Sequence, residues 1–341
     1  MKIDLRSDTV TVPCSRMKEA MLNARVGDDV FSEDPTVNEL EEYCANLFGM
    51  EAGIYCSSGS QTNQIAIKVH TNPGEEVICS KDAHIYKYEG GGIMVNSACS
   101  VRYMEGNRGM IDLKFIQENI NNPADVHLPI TSLVAIENTS NRGGGAIYSY
   151  DETKAMSKFC REKNMPFHLD GARLFNALVE QNIPAKEYGS HFDSISICLS
   201  KGLGAPIGSV LIGNKKFIHK ARRVRKVFGG GMRQAGFIAA AGLYALKNNI
   251  DRLKDDHYNC KLIESTLVTL PWVTEILPVE TNIVIFKVDS KIQTQAFLDY
   301  FAAKNILFFS LSPGAFRFVT HLDFTNEMLE VLITELKKFK Y

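Results

Sequence analysis

The sequence has almost no net charge. Its 341 residues contain 38 Lys and Arg against 39 Asp and Glu, which gives a formal net charge of -1 at pH 7. Proteins that bind nucleic acid or an anionic membrane through a global electric field carry a large excess of positive charge. We therefore expect no nucleic-acid or membrane partner, and we expect a small molecule as the substrate.

The sequence also lacks the patterns that accompany export, membrane insertion and cysteine-based metal sites. No apolar run approaches the roughly 20 residues that a spanning helix needs, and Met1–Asp4 leads into polar sequence rather than the apolar region of a signal peptide. The eight cysteines include no Cys-x-x-Cys pair, and several lie in apolar runs. They are typical of buried free thiols in a reducing compartment. We expect a cytoplasmic protein with no metal site.

The remaining pattern is that of a large α/β protein. With 45% hydrophobic and 23% charged residues, the chain can bury a sizeable core. The sequence Asp34-Pro35 begins a helix that Gly49 can end. Further on, short apolar runs alternate with helical patterns, which predicts a mostly parallel sheet covered by helices. The predicted strands are 77–79, 132–137, 167–170, 194–199 and 209–212.

The texture of the sequence changes near residues 248–250. Beyond this point, helical patterns over 251–270, 294–304 and 326–339 alternate with strand patterns over 282–288 and 317–320. We therefore predict a large domain over residues 1–249 and a small C-terminal α+β domain over 250–341.

Two residues 31 positions apart suggest the chemistry. Asp170 ends an apolar strand, so its carboxylate should emerge at the carboxyl edge of the sheet, where α/β proteins bind ligands. Lys201 follows the next predicted strand and precedes Gly202 and Gly204. A lysine that bonds covalently to the cofactor aldehyde and a carboxylate that holds the pyridine nitrogen are the two requirements of pyridoxal phosphate. Separately, Asp170 could be a helix cap and Lys201 a solvated loop residue.

Three other features fit the same cofactor, although each has an ordinary structural explanation. Ser57–Asn63 precedes an apolar helical pattern, so its amides could bind a phosphate, or its serines could be plain helix caps. His84 follows a predicted strand and could lie on the cofactor ring, but a lone histidine is more often structural. His127 could be only a loop residue.

Basic residues occur in two further places. Residues 215–226 hold seven Lys and Arg and no acids, but Phe217 and Ala221 fall on one helical face, which favours an amphipathic helix with solvated basic faces over a nucleic-acid site. Some of these cations, with Arg233, could reach an anionic cofactor or a neighbouring subunit. Arg317 alternates with apolar residues on a predicted strand, and it could clamp a carboxylate or lie at the surface.

Taken together, these motifs resemble the low-specificity L-threonine aldolases, which belong to the aspartate-aminotransferase-like, fold-type I group of pyridoxal phosphate enzymes. The resemblance covers essentially the whole chain. Its markers are DLRSDTVT at 4–11, GDDVF at 27–31, DAHI at 82–85, LDGAR at 169–173, LSKGLGAP at 199–206 and GGGMRQ at 229–234.

The resemblance implies a role for each site residue. It implies that Lys201 bonds to the cofactor, that Asp170 holds the pyridine nitrogen and that His84 stacks on the ring. The other implied residues are Gly59, Ser60 and Gln61 at the phosphate, Ser7, Arg173 and Arg317 at the substrate carboxylate, Arg173, Lys226 and Arg233 near the cofactor, and His127 near the substrate hydroxyl.

The resemblance also implies a reaction and an assembly. The implied reaction is retro-aldol cleavage of L-threonine or L-allo-threonine to glycine and an aldehyde, with His127, His84 or a bound water as the base. Residues 1–30 would contribute to the active site of a homotetramer built as a dimer of dimers. The alternatives are β-elimination, racemisation or transamination on the same scaffold, or a protein that binds the cofactor without turnover. Ser140 stands where many members carry histidine, which would alter the handling of the hydroxyl.

Overall fold

A seven-stranded sheet forms the centre of the protein. A computed structural model describes residues 1–340. The short strand β1 (Ile3–Asp4) lies outside this sheet. The seven central strands are β2 (Ala52–Cys56), β3 (Glu76–Ser80), β4 (Ser100–Met104), β5 (Thr131–Glu137), β6 (Phe167–Gly171), β7 (Ser194–Cys198) and β8 (Ser209–Gly213). They lie in the order β2-β8-β7-β6-β5-β3-β4, and six of them run in one direction while β8 is antiparallel to β2 and β7. The predicted mostly parallel sheet is thus confirmed.

Helices cover both faces of this sheet, as an α/β architecture requires. Asp34 accepts hydrogen bonds from the amides of Thr36 and Val37, and Gly49 ends the same helix with a φ of 68°, as predicted. The helices of this part of the chain are α1 (Ser15–Leu22), α2 (Pro35–Phe48), α3 (Gly59–His70), α4 (His84–Lys87), α5 (Gly92–Ser97), α6 (Leu113–Asn119), α7 (Tyr150–Glu162), α8 (Leu174–Gln181), α9 (Ala185–Gly189), α10 (Lys215–Val227) and α11 (Gly236–Asn248).

A second hydrophobic core lies in the C-terminal part of the chain. It packs a four-stranded antiparallel sheet against helices, with a cluster of phenylalanine rings between them. The elements are α12 (Leu253–Val268), β9 (Val273–Ile276), β10 (Ile283–Val288), α13 (Thr294–Ala302), β11 (Ile306–Leu307), β12 (Phe309–Ser312), β13 (Ala315–Val319) and α14 (Asn326–Lys338). The sheet order is β12-β13-β10-β9. The domain boundary near residue 249 stays a prediction.

The N-terminal segment packs with this second core. Strand β1 pairs in parallel with β11, and Ile3 and Leu5 are buried among the C-terminal apolar residues. The chain then passes toward the central sheet, where short 3₁₀ helices form at Asp8–Val10 and Asp29–Phe31. Residues 6–8 are thereby placed between the two cores.

Two details of the sequence analysis need correction. All eight cysteines are free and seven are buried, but Cys14 is exposed. Helix α10 is amphipathic as predicted, yet Arg225 is not on a solvated face. It is buried, donates to the carbonyl of Tyr55 at 2.6 Å and lies 2.8 Å from the Asp29 carboxylate. Helices in the described range, residues 1–340, are too short or too polar to cross a bilayer.

Candidate functional site

Two cavities that share His84 lie at the carboxyl edge of the central sheet. The first, of about 210 Å³, is lined by Gly59, Ser60, Asn63, His84, Asp170 and Lys201, among others. The second, of about 330 Å³, is lined by His84, Tyr88, Asn141, Arg142, Phe309 and Arg317, among others. The strands of a parallel sheet present their carboxyl ends at one edge, which explains why residues distant in sequence meet here. Six of the predicted site residues therefore line one or other of these two cavities.

Asp170 is held in a fixed orientation at the floor of the first cavity. It lies near the end of the central strand β6 and is 2% exposed. Its Oδ1 accepts a hydrogen bond from the amide of Ala172 at 3.1 Å, and its Oδ2 accepts one from Asn63 Nδ2 at 2.9 Å. Two donors compensate the carboxylate for burial. The group can therefore accept a further bond from a protonated ring nitrogen.

Lys201 lies on the same cavity, three residues beyond β7. Its positive charge helps to lower the pKa of Asp8 and partly opposes the rise in the pKa of His84, so the Lys201 side chain lies near both. Its carbonyl accepts a hydrogen bond from Thr11 Oγ1 at 3.3 Å, so the N-terminal segment helps to hold the loop. The predicted meeting of Lys201, Asp170 and His84 in one space is what the structure shows.

The start of α3 offers free donors for a phosphate. Ser58 caps the helix and accepts a bond from the amide of Gln61 at 3.2 Å, whereas within residues 1–340 the amides of Gly59 and Ser60 have no acceptor. The hydroxyl of Ser209, 3.6 Å from where a Cβ on Gly59 would lie, is also buried without a partner. Free amides at a helix N-terminus attract an anion.

Gln61 serves the phosphate loop differently from Gly59 and Ser60. Its Oε1 accepts bonds from the amide and hydroxyl of Ser57 at 3.1 and 3.2 Å, and its side chain packs against Gly230. The backbone N–H of Gln61 and its side-chain oxygen are thus both hydrogen-bonded within the protein. The structure places Gln61 as a residue that shapes the loop, and its predicted contact with phosphate stays a prediction.

His84 lies between the two cavities at the start of α4. Its Nδ1 is 2.9 Å from Glu89 Oε1, and its amide donates to Glu137 Oε2 at 2.9 Å. Burial opposes protonation of the imidazole, but the bond with Glu89 and the charge of Asp170 outweigh burial and raise its pKa. The carboxylates of Glu89 and Asp170 therefore raise the pKa of the ring, and the bond with Glu89 holds it in place.

Two acidic residues near His84, Glu89 and Glu137, were not predicted from the sequence. Glu89 accepts bonds from Asn63 Nδ2 at 3.0 Å and Gln64 Nε2 at 2.6 Å. Glu137 is buried, and burial together with the charge of Asp170 raises its pKa. Ligand atoms of His84, Glu89 and Asp170 lie within 4.8 Å of one another, as in a metal site. Since Asn63 donates N–H groups to both carboxylates, the arrangement is that of a hydrogen-bonded cluster.

Arg173 has an acidic partner that the sequence analysis did not anticipate. Its Nε and Nη2 donate to the two carboxylate oxygens of Asp8 at 2.8 and 2.7 Å, and both side chains are buried. Asn282 adds a third bond to Asp8 at 3.2 Å. Two of the three guanidinium nitrogens of Arg173 are therefore committed within the protein. Its contact with a substrate carboxylate stays a prediction.

The pairing of Asp8 with Arg173 should make stability depend on pH. Burial of Asp8 opposes ionisation, but Arg173, Lys201 and Asn282 outweigh burial and lower its pKa. An acid whose pKa is lowered by folding stabilises the protein above its unfolded pKa, near 3.9, and loses this contribution as the pH falls below it. We expect Asp8→Asn to lower the free energy of unfolding at pH 7 by about 3 kcal/mol, because Arg173 is left buried without a counter-charge.

Urea unfolding of wild type and Asp8→Asn, at pH 7 and at several acidic pH values, measures this effect. The difference between the two free energies of unfolding should become smaller in acid, where the Asp8 carboxyl of wild type is protonated and neither protein carries that negative charge. Asp255→Asn on the exposed side of α12 controls for loss of a negative charge. Equal unfolding energies at pH 7 for wild type and Asp8→Asn would contradict the expectation.

Arg317 differs from Arg173 because, in the part of the chain that the structure describes, no acidic side chain forms an ion pair with it. It lies on β13, is 8% exposed and lines the second cavity. Its Nη1 donates to Asn141 Oδ1 at 2.8 Å, its Nη2 donates to the carbonyl of Arg6 at 3.0 Å, and its Nε is buried without an acceptor. Burial and the charge of Arg173 lower its pKa to about 10. A buried cation without a counter-ion, beside a cavity, is suited to an anionic ligand.

Four of the residues singled out in the sequence lie away from these cavities in the single chain. The His127 side chain is 88% exposed and bonds to Asp125 in its own loop, at 2.9 Å. Lys226 is exposed, and Arg233, 56% exposed, pairs with Asp28 at 2.7 Å. The hydroxyl of Ser140 is directed to the amide of Gly143, at 3.3 Å, rather than to either cavity.

Ser7 lies close to the site but is engaged locally. Its hydroxyl accepts bonds from the amide and the hydroxyl of Thr9 at 3.2 and 2.9 Å. Its neighbours Arg6 and Asp8 contact Arg317 and Arg173, which brings the segment to the substrate side of the site. Its predicted contact with a carboxylate stays a prediction.

The residues of the first cavity fit pyridoxal phosphate because several of their hydrogen-bond donors and acceptors have no partner within the described part of the protein. Free amides and the unpartnered Ser209 hydroxyl lie where a phosphate would be held. Asp170 lies in the same cavity as Lys201, with the His84 ring between the cavities. This combination supplies an anion site, an acceptor for a pyridinium and an amine for an aldehyde.

Comparison with known proteins agrees with this fit. The sequence pattern of the β-eliminating lyase family matches residues 4–291. The low specificity L-threonine aldolase of Escherichia coli (strain K12) is 42% identical over 338 residues, which is 99% of each chain. The low-specificity L-threonine aldolase 1 of Arabidopsis thaliana is 38% identical over 95% of this chain and 92% of its own.

A solved structure shows the same fold. The threonine aldolase of Leishmania major superposes with a TM-score of 0.86 at 19% identity, covering 98% of this chain and 99% of that one. At such low identity the likeness bears on architecture alone, and it confirms the predicted fold-type I arrangement. From the family match, the two relatives and the fitted cavity, the chain belongs to the β-eliminating lyase family and is a pyridoxal phosphate-dependent lyase.

Proposed function

We propose that this protein cleaves L-threonine and L-allo-threonine to glycine and acetaldehyde. The observation that carries the proposal is the placement of Arg317, a buried cation that has no carboxylate partner within residues 1–340, on a cavity that shares His84 with the one lined by Lys201 and Asp170. An α-amino acid needs a cation for its carboxylate beside the group that bonds its amine. The two threonine aldolases at 38 and 42% identity support this choice of substrate.

The cofactor would be held by residues of the first cavity. Lys201 would bond to its aldehyde, Asp170 would accept a bond from its ring nitrogen, and the amides of Gly59 and Ser60 would bind its phosphate. Bound pyridoxal phosphate supplies an electron sink for the pair of electrons left when the Cα–Cβ bond breaks. Asp170, which the bonds from Asn63 and the amide of Ala172 hold in one orientation, would present its carboxylate to the ring nitrogen.

Arg317 is the main group that would orient the substrate. Its planar guanidinium can bind a carboxylate through two parallel bonds, and β13 and the contact with Asn141 hold it rigidly. Arg173, through the nitrogen not bound to Asp8, and Ser7 would complete the carboxylate site. Fixing the carboxylate also fixes the direction of the Cα–Cβ bond, and such orientation accounts for much of an enzyme's acceleration.

His84 is the candidate base that the geometry favours. The substrate hydroxyl must lose a proton as the aldehyde departs, and the base needs a pKa near the working pH. The pKa of His84 is raised from its ordinary value, and its Nε2 is left available because Nδ1 binds Glu89. His127 would need to come from a neighbouring subunit, since within one chain its side chain is solvated.

We also propose that the active sites lie at subunit interfaces of a homotetramer in the cytoplasm. The exposed positions of Lys226 and Arg233, and the packing of Gly230 on Gln61 beside the phosphate loop, support a shared site. Large exposed apolar side chains, Phe31 at 69% and Val227 at 83%, lie in the same part of the chain. The free thiols fit a reducing compartment.

The direct test is product analysis with the purified protein. We expect acetaldehyde and glycine from both L-threonine and L-allo-threonine, without ammonia or keto acid. Ammonia and keto acid would indicate β-elimination, and an inverted amino acid would indicate racemisation. No product of any kind, with the cofactor still bound, would contradict turnover altogether. The molar mass of the same preparation by light scattering tests the tetramer, and a fully active monomer would overturn it.

A further inference from the structure

A row of hydrogen bonds, buried except at its His70 end, connects Asp170 to the opposite edge of the sheet. It runs from His70 Nε2 to Ser194 Oγ at 2.8 Å, then to His168 Nδ1 at 2.8 Å, and from His168 Nε2 to Asn63 Oδ1 at 3.2 Å. Asn63 Nδ2 then contacts Asp170 Oδ2 at 2.9 Å. Ser194, His168 and Asn63 are at most 1% exposed. The functional assignments made above use Asp170 and the bond that it accepts from Asn63, but they use neither His168, Ser194 nor His70.

Secondary structure explains why these side chains meet. His168 and Asp170 are two residues apart on β6 and so point to the same face of the sheet, and Ser194 pairs with His168 across the β6–β7 register. Asn63 and His70 are seven residues apart on α3, which places them on the same side of the helix two turns apart. Helix α3 therefore lies along the polar row of β6.

The direction of every bond in the chain can be deduced. The Asn63 amide nitrogen lies 2.9 Å from Asp170 Oδ2 and 3.0 Å from Glu89 Oε1, and only an N–H donor is compatible with two carboxylates. The Asn63 carbonyl must then accept, so His168 carries its proton on Nε2. In the neutral imidazole Nδ1 then accepts from the Ser194 hydroxyl, and Ser194 Oγ accepts from His70 Nε2.

We propose that Asn63 and His168 are positioning residues, which fix the orientation of the Asp170 carboxylate for its bond to the cofactor. In this arrangement His168 holds the Asn63 amide so that both its N–H groups point at Asp170 and Glu89. Burial lowers the pKa of His168 to about 3 and that of His70 to about 4, so both rings are neutral, as the deduced chain requires. The inference rests on the proposed contact of Asp170 with the cofactor.

The key test compares two substitutions at His168. His168→Leu fills the space but leaves Asn63 Oδ1 without a donor and the Ser194 hydroxyl without an acceptor, whereas His168→Gln retains an Nε2 donor toward Asn63. With threonine as substrate, we expect His168→Leu to lower kcat by about tenfold or more, with KM changed by less than about threefold, since a buried polar group that loses its partner is costly. His168→Gln should recover most of kcat.

Cofactor retention gives a second measurement that does not depend on turnover. The rate at which pyridoxal phosphate leaves the diluted holoenzyme, followed by its absorbance, should rise in His168→Leu and stay near wild type in His168→Gln. Ser157→Ala is the structural control, because Ser157 of α7 donates a hydrogen bond of 2.6 Å to the carbonyl of His191 and takes no part in the row of bonds from His70 to Asp170. Ser157→Ala should lower the stability of the protein but leave kcat and the rate of cofactor release unaltered.

Each outcome separates this inference from the proposed function. If wild type does not cleave threonine, the proposed function fails, and cofactor release still tests the positioning role. If wild type cleaves threonine but His168→Leu matches it in kcat and cofactor release, the positioning role alone is overturned. If His168→Leu does not fold, Ser194→Ala offers a second test, because it interrupts the row of hydrogen bonds with little change in volume. We expect Ser194→Ala to lower kcat about threefold. Wild-type kcat and cofactor release in that variant would also overturn the inference.

Discussion

Replacing Lys201 by alanine should lower kcat for threonine cleavage by about 10³-fold or more, which is the scale expected when a covalent catalytic group is removed. The side chain lies on the cavity that also contains Asp170 and the free amides of Gly59 and Ser60. These other groups would still bind the cofactor weakly. The variant should therefore take up pyridoxal phosphate without cleaving threonine at a useful rate.

Lys201→Arg distinguishes a covalent role from an electrostatic one. Arginine keeps the positive charge near Asp8 and His84, but its guanidinium, which stays protonated, cannot bond to an aldehyde. We expect Lys201→Arg to be as inactive as Lys201→Ala in acetaldehyde release. Lys163→Ala, at the exposed end of α7, is a control for lysine removal and should have wild-type activity. Activity above a tenth of wild type in Lys201→Arg would contradict the covalent role.

Much of the central sheet could be predicted because its strands are buried on both faces and are therefore continuous apolar runs. The prediction for 167–170 corresponds to β6, Phe167–Gly171, and that for 194–199 corresponds to β7, Ser194–Cys198. Strands β2 and β4 were missed. In β4, Ser100–Met104, no residue is buried, since it lies at the sheet edge and its sequence is mixed.

The direction of β8 was not predicted, although the sequence contains a signal for it. A parallel crossover needs about a dozen residues and usually a helix. Only residues 199–208 separate β7 from β8, and they form no helix, so β8 must return antiparallel. The length of the connection between β7 and β8 therefore indicates the direction of β8, which the apolar pattern of the strand does not.

Site residues with a local motif could be predicted, but those defined by long-range pairing could not. Lys201, Asp170 and the loop before α3 have recognisable neighbours in sequence. The partner of Arg173 is Asp8, 165 positions away, and Asp170 is bound by Asn63, 107 positions away. One signal was available: polar residues at alternate positions of buried strands, His168 with Asp170 and Ser194 with Ser196, indicate a buried hydrogen-bonded row.

Replacing Arg317 by alanine should raise KM for threonine about 100-fold, since losing one partner of a buried charge pair costs roughly 3 kcal/mol. Arg317 has no carboxylate within ion-pairing distance in residues 1–340, whereas Arg173 has Asp8. A substrate carboxylate would be the first counter-ion of Arg317, so its removal should weaken binding more than it lowers kcat at saturating threonine. Initial rates of acetaldehyde release across a range of threonine concentrations give both constants.

Arg317→Lys separates charge from geometry at the same position. Lysine keeps a cation but cannot form two parallel bonds to a carboxylate or reach both Asn141 and the carbonyl of Arg6. Its KM should fall between those of wild type and Arg317→Ala. Arg161→Ala on α7, away from both cavities, should leave KM unchanged. If KM is also unchanged in Arg317→Ala, the carboxylate binds elsewhere, and the remaining nitrogen of Arg173 becomes the group to test.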